Sequence, residues 1–391
     1  MTTTELLALK NRRKYWSKQA SWAHLAVSEM ALSRLRSTVP GERSPNLSRE
    51  ISTGMLFDIQ LNGKFAGKGY FQLSSRTLNN LSDYHVPVLV ESVLSYLRVN
   101  PSGIYVDGTL GGGGHAAAIL NRLSLEGKLI GIDRDPDALA FARNRLSNFS
   151  SQIVLRQANF ERLADVVKEL GFSSVDGVLL DLGVSSHQID SDQRGFSFLR
   201  SGPLDMRMGS GQKLRAYDVV NRYEYKELKR IFKFYGEERH AGRIALAIVN
   251  ARKEKPLETT DELVAVIDRV VPGHFRNKTR ARIFQAIRIE VNGELAHLQA
   301  ALKQAVAVLK PGGRLVVISY HSLEDRLTKQ FFKTLAEPCD CPPEWPICPC
   351  DEKPAVKILT RHPVTAPPEE IAQNSRARSA KLRAVEKTGE L

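Results

Sequence analysis

The run Asp107-Gly-Thr-Leu-Gly-Gly-Gly-Gly-His115 holds four consecutive glycines after an acid. Glycine removes the Cβ from a turn, so such a run lets backbone N–H groups come close to a bound cofactor. Asp133, 22 residues beyond Gly111, is placed to accept hydrogen bonds from ribose hydroxyls. Taken alone, Gly111 to Ala116 also satisfies a loose Gly-x-Gly-x-x-Ala and suits a nicotinamide. A second constellation is Asp181-Leu-Gly-Val-Ser-Ser-His-Gln188, which gathers a carboxylate, two hydroxyls, an imidazole and an amide. Asp181 is the candidate catalytic group, a polar residue serving both cofactor and target, with the capping of a strand as its plain alternative. His187 has the weaker claim, since lone histidines are more often structural.

These residues need a scaffold that ends several strands at one place. From about residue 84, short apolar strands alternate with helical segments, which predicts a parallel sheet covered by helices on both faces. The strands are Ile104–Val106, Leu129–Ile132, Ile153–Arg156, Val178–Leu180 and Arg314–Ser319. The helices between them are Ala116–Leu123, Ala138–Leu146, Leu163–Leu170 and Glu294–Leu309. Asp107, Asp133 and Asp181 then stand at strand ends, where a doubly wound sheet binds its ligand. Between the fourth and fifth strands the pattern breaks. Residues 193–292 read as an inserted helical subdomain, with helices at Lys226–Tyr235, Ala241–Lys253, Thr260–Val271 and Thr279–Val291. Residues 81–192 and 293–391 form the cofactor-binding core.

The net charge of +13 points to a polyanionic partner, because Lys and Arg gain affinity for phosphates by releasing condensed counterions. Residues 269–288 hold Arg269, Arg276, Lys278, Arg280, Arg282 and Arg288 with no acid among them. Arg276, Arg280 and Arg269 are spaced to share a helical flank and offer phosphate contacts to RNA, or else to form a solvated face. The tail from Asn374 to Arg383 adds a second basic segment. No apolar run is long enough to span a membrane, and no secretory signal is seen, so a soluble, cytoplasmic protein is expected. Residues 1–80 carry 12 Lys/Arg against 5 Asp/Glu without periodicity. They read as a disordered extension, either an organellar leader or an over-extended start with Met55 as initiator. The four cysteines, Cys339, Cys341, Cys348 and Cys350, form two Cys-x-Cys pairs. That spacing is unusual for structural zinc, and a Pro-rich loop without metal is the favoured reading.

Asp107 before the glycines and Leu309-Lys-Pro-Gly-Gly-Arg-Leu315 before the last strand resemble class I methyltransferases, which favours S-adenosylmethionine over a nicotinamide. Longer motifs sharpen this. Tyr84-His-Val-Pro-Val-Leu89, Arg194-Gly-Phe-Ser-Phe198, Gly202-Pro-Leu-Asp-Met-Arg-Met208 and Gly236-Glu-Glu-Arg239 occur in order, followed by Phe284 to Asn292 and Ser319 to Arg326. From about Tyr84 to Arg383 the chain closely resembles the RsmH (MraW) family, methyltransferases acting on cytidine N4 in small-subunit ribosomal RNA. The resemblance implies a Rossmann-like α/β class I methyltransferase core with an inserted all-helical RNA-recognition subdomain. It also implies S-adenosylmethionine as cofactor and 16S rRNA or the 30S ribosomal subunit as partner; a homodimer is left open. By position, the family's cofactor contacts fall on Gly113, Gly114, His115, Asp133, Phe160, Asp181 and Gln188. Two departures stand out. No Asp/Asn-Pro-Pro-Tyr/Phe motif follows the fourth strand, and Lys278-Thr-Arg-Ala281 replaces the family's common His-Pro-Ala-Thr. The rival readings are a nicotinamide oxidoreductase and a ribosome-assembly protein with an inactive pocket.

Overall fold

A computed structural model of the chain describes residues 87–183, 192–209, 211–339, 341 and 353–389. All belong to one compact unit, Phe71–Leu391. The leader, Gln188 with its neighbours, and Cys348 and Cys350 lie outside the described residues.

The element order opens with α1 (Val90–Leu97), β1 (Ile104–Asp107), α2 (Gly114–Leu120), β2 (Lys128–Asp133), α3 (Pro136–Arg145), β3 (Ile153–Gln157), α4 (Leu163–Glu169) and β4 (Val175–Asp181). Among the described residues five helices follow, α5 (Ala216–Arg222), α6 (Tyr225–Phe234), α7 (Ala241–Glu254), α8 (Thr260–Val270) and α9 (Arg276–Asn292). The chain then returns through α10 (Glu294–Val308), β5 (Leu309–Ser319), α11 (Ser322–Ala336), β6 (Val356–Ile358), α12 (Pro368–Gln373) and β7 (Lys381–Lys387).

The sheet order is β3-β2-β1-β4-β5-β7-β6. Strands β1 to β5 pair in parallel, whereas β7 runs antiparallel to both β5 and β6. The expected purely parallel sheet is therefore a mixed one, and β6 and β7 correct the reading of the C-terminal region as loop and basic tail. Lys381-Leu-Arg-Ala-Val-Glu-Lys387 looks polar because four of its seven residues are charged. Its Leu382, Ala384 and Val385 are fully buried, and Arg383 is buried against Asp325, Nε to Oδ1 2.6 Å. A strand whose charged residues find buried partners reads in one dimension as a solvated basic run.

The two faces of the sheet bury separate cores. Tyr105, Leu129, Leu179, Val316 and Ile318 pack on one face, and their chain neighbours Val106, Ile130, Val178, Leu180, Leu315 and Val317 on the other. Alternation with both faces covered is why these strands read as continuous apolar runs. Local signals set the helix starts. Asp135 caps α3 by accepting from the Asp137 N–H at 3.1 Å, with Pro136 at the first helical position. Thr259 and Glu262 form a reciprocal capping box at α8. Helices α5 to α9 surround a third core that includes Phe232, Ile244, Ile267, Ile283 and Ile287, while α10 turns Leu298, Ala301 and Leu302 onto the sheet. Among the described residues no helix is long and apolar enough to cross a membrane.

Candidate active site

The strand order reverses between β1 and β4, so their carboxyl ends open a crevice with no crossover above it. Asp107 ends one strand and Asp181 the other. A cavity of about 520 Å³ lies there, within the range of small-molecule sites. One end is walled by Gly111, Asp133, Arg134 and Phe160, the other by Asp181, Gly183, Tyr320 and Glu324.

Backbone N–H groups hold the carboxyls of Asp133 and Asp107, and a side chain holds that of Asp181. Asp133 accepts the Gly111 N–H on Oδ2 and the Asp135 N–H on Oδ1, both at 2.8 Å. Burial raises its pKa despite those two bonds. Asp107 accepts the Thr109 N–H at 3.2 Å, and the Thr109 hydroxyl oxygen accepts the Asp181 N–H at 2.6 Å. The first and fourth strands are thus tied together through one threonine. Burial drives Asp107 up to about 7, opposed by His115, by its hydrogen bond from Thr109, and reinforced by the charges of Asp181 and Asp133. Asp181 is likewise pushed up to about 7 by burial, against the hydrogen bond it accepts from the Tyr320 hydroxyl at 2.9 Å.

His115 is buried, its Nε2 2.8 Å from the Val88 carbonyl. A carbonyl only accepts, so the proton of the neutral ring sits on Nε2 and Nδ1 carries the lone pair. Nδ1 lies 3.6 Å from Asp181 Oδ2. Burial lowers the His115 pKa, so at neutral pH an uncharged ring faces a carboxyl group of raised pKa.

Of the residues expected to contact a cofactor, Gly114, His115, Asp133, Phe160 and Asp181 line this one cavity. Gly113 does not. It is the left-handed cap of α2 (φ 73°), and a Cβ there would meet Leu146 at 3.0 Å. A Cβ on Gly114 would meet Pro87 at 2.9 Å. Two of the four glycines therefore serve the packing of the turn itself. Only Gly111 fits the expected role of clearing space, since it lines the cavity with no neighbour of its missing Cβ nearer than 3.9 Å. Gln188 is outside the described residues.

The sequence reading assigned no role to Tyr320, Glu324, Arg288 or Glu294, all of which line the cavity. Tyr320 follows the last residue of β5, and the strand-end rule that singled out the three aspartates would have found it. Glu324 Oε2 accepts the backbone N–H of Tyr320 at 2.9 Å and of His321 at 3.3 Å. Burial opposes its charge, yet His321 and Arg288 hold its carboxyl below the usual range. Glu294, His321 and Glu324 bring ligand-type atoms within 4.8 Å of one another. Both oxygens of Glu294 are bonded to Arg288 at 2.9 Å, and His321 Nδ1 accepts the Glu324 N–H at 3.4 Å. That places the ring proton on Nε2, 3.2 Å from Glu324 Oε1, and makes the cluster an ion-pair network.

The helical segment reaches the same cavity through Met208, Ala281 and Arg288. Asn292 fixes this wall. Its Oδ1 accepts the Met208 N–H at 3.0 Å, and its Nδ2 donates to the Met206 and Arg288 carbonyls at 2.8 and 2.9 Å. Arg194 donates to Asp135 at 2.7 Å and to the Met208 carbonyl at 3.2 Å. The acid-free run 269–288 proves to be partly neutralised from other elements. Arg280 is paired with Asp268, Arg282 with Glu238 and Arg288 with Glu294. Arg276 donates to the Val271 carbonyl. The expected phosphate-binding flank thus has Arg280 already committed to an acid.

The residues present suit S-adenosylmethionine. Asp133 at the β2 end and Asp181 at the β4 end line the cavity as acceptors for a hydroxyl-rich ribose and an ammonium group, Phe160 offers a ring at the β3 end, and Gly111 leaves the cradle open. Comparison with known proteins agrees. The model of the MraW methylase family matches residues 82–388. A ribosomal RNA small subunit methyltransferase H from Symbiobacterium thermophilum is 50% identical over 307 residues, covering 78% of this chain and 96% of that protein. One of the same name from Carboxydothermus hydrogenoformans is 51% identical over 305 residues, covering 78% and 97%. The cofactor is S-adenosylmethionine, and with a family match that spans every element of the sheet, the chain belongs to the MraW methylase family.

Proposed function

We propose that the protein methylates small-subunit ribosomal RNA in the compartment where that subunit is assembled, and that the acceptor is the N4 amino group of a cytidine in the decoding region. The observation that carries this is the acidic, buried end of the cavity. Asp181 Oδ1 is bonded to Tyr320 and Oδ2 faces His115, beside the negative Glu324. An exocyclic amine brings two N–H donors, which such a wall of acceptors suits. The names of the relatives support the RNA class.

When bound, S-adenosylmethionine supplies a methyl group on a positively charged sulfur, open to attack by an amine. The protein's part is to present that amine. Its nitrogen lone pair is delocalised into the cytosine ring, so an acceptor that takes one N–H and turns the group out of the ring plane raises its reactivity. Asp181 is the group placed to do so. As the amine gains a bond it must shed a proton, and Asp181 with His115 Nδ1 behind it can take one. The base must leave its stack to reach an enclosed site of this kind. The helical segment α5 to α9 is the proposed subdomain that meets the RNA around it.

The test is nucleoside mass spectrometry of small subunits from cells with and without the gene. Loss of N4-methylcytidine is the expected result, and an unchanged level rejects the assignment. Asp181→Ala enzyme that methylates at the wild-type rate would remove Asp181 from the mechanism.

A further inference from the structure

The basic tail that became β7 begins with a turn the proposed reaction has not used. Strands β5 and β7 pair with Ser319 opposite Lys381, so the residues just before β7 lie beyond the carboxyl end of β5, over Tyr320 and His321. That stretch is a short 3-10 turn, Ser375–Ser379. Arg376 and Ser379 line the same cavity as Asp181 and Tyr320. This is the β4–β5 end, away from Asp133 at the end of β2 and Phe160 beyond the end of β3.

The turn is built to hold its backbone still while its arginines stay outside. Ala377 and Ala380 are fully buried in the core of one sheet face. Asn374 Oδ1 accepts the Arg376 N–H at 3.1 Å. Just upstream, Glu370 accepts the Leu89 N–H at 2.7 Å and so pins α12 to the start of α1. Arg376 is exposed, so its guanidinium stands at the rim of a cavity whose lining includes the acids Asp181 and Glu324. The charge pattern is acidic within and basic at the mouth. A nucleotide has the matching pattern, amine donors on its base and a negative phosphate at its other end.

We infer that Arg376, with the Ser379 hydroxyl, grips the backbone phosphate of the nucleotide whose base enters the cavity. This rests on RNA being the substrate but not on which base or atom is methylated. The same guanidinium could instead meet the carboxylate of the methyl donor, and the experiment separates the two.

Full-length Arg376→Ala, Ser379→Ala and, as a control, Arg378→Ala are assayed on small subunits from cells lacking the methylation. Arg378 is exposed in the same turn, carries the same charge and does not line the cavity. Loss of one phosphate contact should raise the KM for the subunit roughly tenfold for Arg376→Ala, with a salt dependence shallower by about one counterion. Ser379→Ala should raise it by a smaller factor, and Arg378→Ala should leave it within about twofold. S-adenosylhomocysteine affinity, measured by calorimetry, should be unchanged in all three, which also reports intact folding. The inference is overturned if Arg376→Ala and Arg378→Ala behave alike, or if the loss in Arg376→Ala appears in S-adenosylhomocysteine affinity. The modified nucleoside in the wild-type reaction is identified separately. A product other than N4-methylcytidine would refute the proposed acceptor and leave the comparison of the two arginines to decide the phosphate contact.

Discussion

Tyr320 and Asp181 show how one hydrogen bond opposes the effect of burial on a carboxyl. Burial pushes Asp181 up to about 7 and the bond from Tyr320 pulls the other way. If the carboxylate is the form that receives the amine, activity rises with pH through about 7. Tyr320→Phe removes the opposing bond, so the acid limb of the pH–rate profile should move to higher pH. An unmoved limb would show that another group sets it. Asp107 carries a stability consequence of the same kind. Its folded pKa of about 7 stands above the ordinary 3.8, so between those values the folded protein binds a proton that the unfolded chain does not. Stability from this group therefore falls as pH rises through that window and stays lowered above about 7. Asp107→Asn keeps the oxygen that accepts the Thr109 N–H and carries no charge. It should melt a few degrees higher than wild type at pH 8, with a difference that shrinks as pH falls through that window and vanishes below 3.8, by calorimetric scan. The three strand-end acids could be found from residue type and position. The separate environments of their oxygens could not, because they depend on Tyr320 and His115, which are distant in sequence from Asp181.

Elements meet at the cavity through a few buried polar joints, and Asn292 is the most connected of them. It ends α9, is 1% exposed, and joins that helix to the Met206–Met208 segment by two hydrogen bonds, while a third, to the Arg288 carbonyl, lies within the helix. Truncation to alanine removes one of the two acceptors of the Met208 N–H, the other being Gln212 Oε1 at 2.9 Å, and strips the Met206 and Arg288 carbonyls of the Nδ2 donor. A loss of about 1–3 kcal/mol in urea unfolding is expected, with a weaker grip on S-adenosylmethionine because Met208 lines the cavity. Unaltered cofactor affinity would mean that the Met208 wall holds its place without Asn292. Helix periodicity disclosed α6 to α9 to within a few residues. Short α5 and the 15-residue α11 passed unread, α11 because its charged face hides the apolar stripe of Leu327, Phe331 and Leu335. Strand β7 was hidden for the related reason that Arg383 and Lys387, each about 6% exposed, are buried with partners. Lys387 donates to the Leu309 carbonyl at 2.7 Å. Arg383→Ala strands Asp325, whose carboxyl is held low by Arg383 and Lys381 despite burial. It should destabilise the fold by about 3 kcal/mol, and a melting curve matching wild type would count against that pairing.

Across the whole molecule, charge and topology are set by different kinds of information. A net charge of +13 is a property of the sequence, and it foretells a polyanionic partner without saying where contact is made. Several arginines of the insertion proved to be spent on Asp268, Glu238 and Glu294, because an acid distant in sequence can neutralise a base that looks free in its own helix. Binding of the small subunit should consequently be less steep in salt than the arginine count of residues 269–288 suggests. A filter-binding slope that reflects all six basic residues would contradict the ion pairs. By itself the sequence determined the α/β class, the first five strands, the placement of Asp107, Asp133 and Asp181 at strand ends and the family. Those follow from local periodicity, turn chemistry and order along the chain, which survive in one dimension. Only the tertiary structure decided that Gly113 and Gly114 serve packing while Gly111 opens the cradle. It alone brought Tyr320 to Asp181 and closed the cavity with a turn from the last strand. Such contacts are chosen by which surfaces meet when the sheet is assembled, and residues 139 positions apart leave no local trace of that choice.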